Sequence, residues 1–193
     1  MAPLHLLPPA AAALTHVAAR AGVPIWLPLP PPRGWCLTGV GWAGDERSGA
    51  VASAVALSGP SPLGGPADLV LVAEEPGVGL GASLAGLAGP DPGAPVHGRP
   101  EAKVGTGKHP VALWAAGGDA RLCAFVGEAE GVWLWALVWP DEAHLLLLER
   151  FELRDLRGAV VPPLEMGAPT TRLAATPVPP PPGSAAGGSA LTG

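Results

Sequence analysis

The sequence predicts an α+β domain that is built on an antiparallel or mixed β-sheet of hairpins with a few short helices. Several segments alternate apolar and polar residues with a period of two, and glycine-rich turns separate these segments. The regular succession of strand and helix that is typical of a parallel nucleotide-binding sheet is missing. The length of 193 residues corresponds to about one domain.

The first half of the chain contains a long predicted hairpin. Residues 35–43 and 50–58 have a strand pattern, and residues 44–49 join them through a charged turn that is bracketed by glycines. A short apolar strand follows at residues 68–73. Residues 77–87 have helical spacing, but their glycines weaken the helix prediction.

The second half of the chain also contains a predicted hairpin. Residues 132–139 are apolar on both faces, which predicts a central strand that is covered on both sides. Residues 121–127 precede them and complete a second hairpin. The remaining predicted elements are two short strands at residues 102–104 and 111–115, a helix through residues 141–148 and an edge strand at residues 151–156.

The two ends of the chain differ from the middle in composition. Residues 1–33 contain a predicted helix and then a proline-rich stretch, which we expect to cross the domain in an extended form and to pack on it. A proline-rich ligand for another protein's aromatic groove is the alternative for this stretch. Residues 34–173 form the α+β domain. Residues 174–193 are rich in Pro, Gly and Ser and predict a disordered tail.

Charge and hydropathy exclude several classes of partner. The formal net charge is −5, and the 11 Lys and Arg residues are scattered. Nucleic acids and anionic membranes are bound largely through clustered Lys and Arg, so neither is expected as a partner. The sequence has no run of 18 apolar residues, which a membrane-spanning helix would need, and the first residues lack the pattern of a signal peptide. We therefore expect a cytoplasmic protein.

The sequence predicts neither a metal site nor a cofactor. Cys36 and Cys123 lie in predicted strands and are expected to be reduced, buried thiols, although their number alone also permits a disulfide. A metal would need more ligands than these thiols and five dispersed histidines provide. The glycine-rich segments 77–81 and 105–109 lack the residue spacing of phosphate-binding loops.

Carboxylates at strand ends are the candidate site residues. Asp45, Glu46 and Arg47 occupy the tip of the first hairpin, and Glu74 and Glu75 end an apolar strand. Binding sites are often built at such positions, although solvated turns would have the same composition. Adjacent carboxylates on a strand point to opposite faces, so the glutamates are not automatically an acid/base pair.

Three tryptophans lie on one face of the predicted central strand, at positions 133, 135 and 139. Such a stripe can stack nucleic-acid bases, but the proteins that do so have basic surfaces. We therefore expect these side chains to pack in the core.

Several segments carry a resemblance, namely residues 41–49, 56–60, 62–65, 68–81, 126–129 and 133–136. Together they resemble an uncharacterised actinobacterial family of unknown function, and the resemblance extends over about residues 3–173. Some members of that family carry the label phosphotransacetylase, which implies acyl or phosphoryl transfer. Phosphotransacetylases are larger α/β enzymes, an architecture that this sequence does not predict.

Members of that family usually begin with a zinc-ribbon-like segment that contains Cys-x-x-Cys. This segment precedes a stretch that resembles residues 3–9 here, and no Cys-x-x-Cys is present in this sequence. The resemblance implies that the ribbon has been lost or that the chain continues upstream of Met1.

Two functional hypotheses follow. The first is a non-enzymatic binding or regulatory module that recognises another protein or a small ligand, because no catalytic constellation is recognisable. The alternative is a small enzyme of acyl or phosphoryl transfer that uses Asp45, Glu46, Glu74 or Glu75.

Overall fold

An eight-stranded sheet organises the chain, as seen in a computed structural model that describes residues 3–45, 47, 49–93, 99–107, 109–117, 121–148 and 152–174. The strands of this sheet are β1 (Leu4–Leu7), β3 (Cys36–Asp45), β4 (Gly49–Pro60), β5 (Pro66–Glu74), β6 (Ala102–Gly105), β7 (Pro110–Ala116), β8 (Cys123–Ala129) and β9 (Val132–Trp139). Their order is β1-β3-β4-β5-β9-β8-β7-β6, and every neighbouring pair is antiparallel. The predicted hairpins are present in it.

Two further strands form a small separate sheet. β2 (Trp26–Pro28) lies in the proline-rich stretch and pairs antiparallel with β10 (Leu153–Asp155). Of the predicted edge strand, Phe151 lies outside the described residues. Glu152 forms an isolated parallel bridge with Gly105 of β6, at the edge of the large sheet, whereas β10 itself pairs with β2. Ile25, Trp26 and Leu27 are buried.

The helices are few and short. They are α1 (Ala11–Ala18), α2 (Leu80–Leu84) and a 3₁₀ helix (Asp141–Leu148). α2 is much shorter than the predicted helix because Gly79 and Gly86 have φ angles of 83° and 74° and therefore cannot continue a right-handed helix. The molecule is thus mostly antiparallel sheet with a few short helices, as in mainly-β or α+β folds.

The large sheet has an apolar core on each face. On one face, α1, β2 and the 3₁₀ helix pack over inward side chains such as Leu69 and Leu134. On the other face, α2 packs over Val70, Val72 and Trp135. Trp135 and Trp139 are buried and Trp133 is half-buried in this second core, so the prediction that the tryptophan stripe packs in the core is confirmed.

Two segments that are distant in sequence cover the outer edge of β3. β1 pairs with its second half, from Val40 to Ala43. Residues 165–170 bind its first half, where Leu37 N–H donates to the carbonyl of Glu165 and Gly167 N–H donates to the carbonyl of Leu37, both at 2.8 Å. Neither segment was predicted from the sequence as part of the sheet. We refer to residues 165–174 as the C-terminal strap.

An ion pair holds the end of this strap. Arg172 Nε donates to Asp68 Oδ2 at 2.9 Å, and the guanidinium lies 4.9 Å from the ring centroid of Trp139. Leu173 is buried in the second core. Except for Ala174, the predicted disordered tail lies outside the described residues.

Both cysteines are free and half-buried. Burial raises the pKa of the Cys123 thiol, and the carboxylates of Asp141, Glu101 and Glu142 raise it further. A thiol with a raised pKa is a poor nucleophile, which agrees with a packing role for Cys123. In the described part of the chain, no helix is long and apolar enough to cross a membrane.

Candidate functional site

A cleft of about 970 Å³ opens between β1, the end of α1 and the tip of the β3–β4 hairpin. Its volume is in the range of small-molecule sites. The polar and aromatic side chains that line it come from three separate parts of the chain: His5, His16, Arg20, Trp42, Asp45 and Arg47. We refer to it as the hairpin cleft.

Backbone hydrogen bonds fix the end of α1 against the start of β4. Ala50 N–H donates to the carbonyl of Arg20 at 3.1 Å, and Gly22 N–H donates to the carbonyl of Ala50 at 3.0 Å. Gly49 makes this approach possible, because a Cβ there would lie 2.7 Å from the Arg20 carbonyl oxygen. The position of Arg20 over the hairpin is therefore set by main-chain contacts.

His5 and Trp42 form an aromatic wall of the hairpin cleft. They are cross-strand partners in the β1–β3 pair, and their rings stack with centroids 4.3 Å apart and planes inclined by 23°. Direct cross-strand neighbours are the pairs that stabilise antiparallel sheets, so strand register alone produces this stack. Trp42 is half-buried and His5 is exposed.

Arg20 and His16 are one helical turn apart, and their side chains form a hydrogen bond. Arg20 Nη1 donates to His16 Nδ1 at 3.0 Å and to the His16 carbonyl at 3.3 Å. Because a guanidinium has donors only, Nδ1 of His16 accepts this bond and its ring proton lies on Nε2. The contact restricts the orientation of the guanidinium.

Asp45 and Arg47 bring the hairpin tip to the cleft. Asp45 Oδ1 accepts the backbone N–H of Arg47 at 2.7 Å, which is the hydrogen bond of an Asx turn. Both side chains are exposed. Glu46, the third candidate at this tip, lies outside the described residues.

Glu74 lies on the other face of the sheet. It lies on the same face of β5 as Val70 and Val72 and is fully buried. Its carboxylate accepts backbone N–H bonds from Leu80 at 2.5 Å and from Gly81 at 3.1 Å. The buried carboxyl group therefore binds the first turn of α2 to the end of β5.

Burial raises the pKa of Glu74 from 4.5 to about 7, although the N–H groups of Gly81 and Leu80 lower it. The indole N–H of Trp135 also lowers the pKa of Glu74. This N–H makes no hydrogen bond with a described residue, so it acts as a nearby dipole. The charge of Asp91 raises the pKa slightly. Desolvation dominates because the carboxylate has backbone dipoles rather than a cation as partners.

The structure brings only part of the predicted set together. Asp45 and Arg47 line the hairpin cleft, whereas neither Glu74 nor Glu75 is among the described residues that line it. Glu74 is buried and Glu75 is exposed, as expected for neighbours at the end of a strand. Sequence reasoning missed His5, His16, Arg20 and Trp42. Only His16 and Arg20 carried a signal, namely their helical spacing of four residues.

Metal-ligand geometry is not found within the described ranges: no three His, Cys, Asp or Glu side chains there are grouped as a metal site requires. Among the described residues, the side chains that line the hairpin cleft provide two guanidinium groups, two imidazoles, one carboxylate and one indole.

Comparison with known proteins gives one match. No curated protein matches the chain, and no solved structure matches it. The model of a family described as "Family of unknown function (DUF6758)" matches residues 1–173, which is most of the chain. The chain therefore belongs to this family of unknown function, DUF6758.

Proposed function

We propose that this domain is a non-enzymatic binding module of the cytoplasm, and that the hairpin cleft is its binding site for a small ligand. One observation carries the proposal: the cleft brings Asp45 and Arg47 together with four further polar or aromatic side chains from β1, from α1 and the turn that follows it, and from β3. Ligand sites typically combine such a concave surface with a few convergent polar groups.

The local charge of the cleft supports this assignment. The formal net charge of the chain is −5, whereas the described residues that line the cleft include two arginines and one carboxylate. A cleft whose charge opposes that of the rest of the protein is typical of a binding surface. Its concave form favours a small molecule over a protein partner, which would need a wider surface.

Enzymatic transfer of acyl or phosphoryl groups is the alternative. Among its candidate residues Asp45, Glu46, Glu74 and Glu75, Glu74 is best suited as a base, since burial raises its pKa towards neutrality. The carboxylate is, however, fully buried against α2 and faces away from the hairpin cleft. A general base must reach the proton that it abstracts, so this geometry favours the binding module.

Native mass spectrometry of the protein from its own host tests the proposal. We expect a small molecule to remain bound at about one per chain and to be lost in Trp42→Ala. The matched control is Trp114→Ala, which changes a half-buried tryptophan that lies outside the hairpin cleft.

Turnover decides between the two functions. We expect the purified protein to form no acetyl-CoA from acetyl phosphate and CoA. Formation of acetyl-CoA that is lost in Glu74→Gln and retained in Trp42→Ala would overturn the proposal in favour of the enzyme. A bound molecule that is retained in Trp42→Ala would place the binding site elsewhere and would also overturn it.

A further inference from the structure

We propose that the ligand of the hairpin cleft carries a terminal oxyanion, a carboxylate or a phosphate, which Arg20 binds side-on through Nε and Nη2. This inference rests on the proposed function and specifies the chemical class of the ligand. It follows from the hydrogen bonds that orient Arg20, from the second arginine of the cleft, Arg47, and from the size of the cleft.

The guanidinium of Arg20 is oriented but only partly used. Nη1 makes both of its protein contacts, to Nδ1 and to the carbonyl of His16. Within the described residues, Nε and Nη2 have no hydrogen-bond partner. These two nitrogens form the edge of the guanidinium that matches the two oxygens of a carboxylate or phosphate. His16 is thus a positioning residue, because it fixes which edge of Arg20 remains open.

A second cation faces the same space. The side chain of Arg47 lines the cleft and has no partner among the described residues, while its backbone N–H is held by Asp45. Two guanidinium groups in one cleft attract an anion at longer range than either does alone. Asp45 disfavours a second negative group near the hairpin tip, so we expect one oxyanion in the ligand.

The cleft has space for more than the anion. Its volume of about 970 Å³ exceeds what an isolated phosphate occupies, and the stacked pair of His5 and Trp42 offers a planar wall. Aromatic faces bind planar groups by offset stacking. An aromatic or similarly flat body that carries one oxyanion therefore fits both parts of the site.

An NMR titration of the full chain with four probes tests the inference: benzoate, its neutral isostere benzamide, phenyl phosphate and inorganic phosphate. We expect benzoate or phenyl phosphate to shift the Arg20 Nε and Trp42 indole signals saturably. The better of the two should bind at least tenfold more tightly than benzamide. Comparison of benzoate with phenyl phosphate distinguishes a carboxylate ligand from a phosphate ligand.

Three variants test whether the side chain of Arg20 binds the anion. Arg20→Gln should weaken binding of the better anion at least tenfold, and Arg20→Lys should also weaken it because the charge remains but the paired donors are lost. Arg33→Gln is the matched control, since Arg33 is exposed and does not line the cleft. The fold should be retained in the Arg20 variants, because the carbonyl of Arg20, not its side chain, binds β4.

The failures of the two proposals are distinguishable. If benzamide binds as tightly as benzoate, or if Arg20→Gln binds both anions as the wild type does, the oxyanion assignment is wrong while the cleft remains a binding site. If none of the probes shifts the signals of the lining residues at millimolar concentration, the oxyanion assignment is overturned. Loss of a native ligand in Trp42→Ala would then still support the binding module.

Discussion

The free energy of unfolding should fall by roughly 2–3 kcal/mol between pH 5 and pH 8 through the titration of Glu74 alone, and Glu74→Gln should remove this part of the pH dependence. For a domain of this size, that corresponds to a decrease in Tm of roughly 5–10 °C. Glu74 has this effect because it is fully buried and its partners are backbone N–H groups rather than a cation.

The sign follows from the direction of the pKa shift. Glu74 titrates at about 7 in the folded chain and near its ordinary value of 4.5 when unfolded, so between these values the folded state binds more protons. Its contribution to stability is complete below pH 4.5. It is lost as the pH rises through 7, where the buried carboxyl group becomes charged.

Urea unfolding at pH 5, 6, 7 and 8 measures this effect in the wild type, in Glu74→Gln and in Glu75→Gln. Glu75 is the matched control, because it is exposed and lies one residue further along. The comparison uses slopes rather than absolute stabilities, since the glutamine also places an amide group against the N–H groups of Leu80 and Gly81. Equal pH slopes in the wild type and Glu74→Gln would contradict the prediction.

Gly81→Ala should destabilise the fold by about 3 kcal/mol. A Cβ at this position would lie 2.3–2.4 Å from three atoms of the Trp135 indole. Trp135 is fully buried in the second core, so a shift of its indole would also displace the side chains packed around it. Displacement of α2 would relieve the contact and would move the Gly81 N–H away from Glu74.

Thermal and urea unfolding of Gly81→Ala should be compared with those of Gly117→Ala. A Cβ at Gly117 would meet no heavy atom of a described residue within 4 Å, so its substitution should change stability by less than about 0.5 kcal/mol. Equal stability of the two variants would show that the packing of Gly81 against Trp135 is looser than the structure indicates.

The strands were predictable because their signal is local. Residues 132–139 were predicted as a central strand from apolar side chains on both faces, and β9 covers the same residues, between β5 and β8. β1 was not predicted, because four residues that precede two prolines carry little periodicity. It becomes a strand only by pairing with β3, which is a tertiary contact that no window of sequence contains.

The candidate site was predictable only where it coincides with a turn. Asp45 and Arg47 were singled out because they occupy a glycine-bracketed hairpin tip, and both line the cleft. Trp42 gave no separate signal, since a tryptophan in a strand is usually a core residue. Its role in the cleft depends on His5, which the β1–β3 register places opposite it.

The two segments that cover the outer edge of β3 are synthesised at different times. β1 leaves the ribosome before β3 and can protect residues 40–43 at once, whereas Leu37 and Thr38 must wait for residues 165–170. At ordinary rates of translation, that interval is on the order of ten seconds. For this time the nascent chain exposes a short unpaired strand edge, which is a template for pairing with another chain.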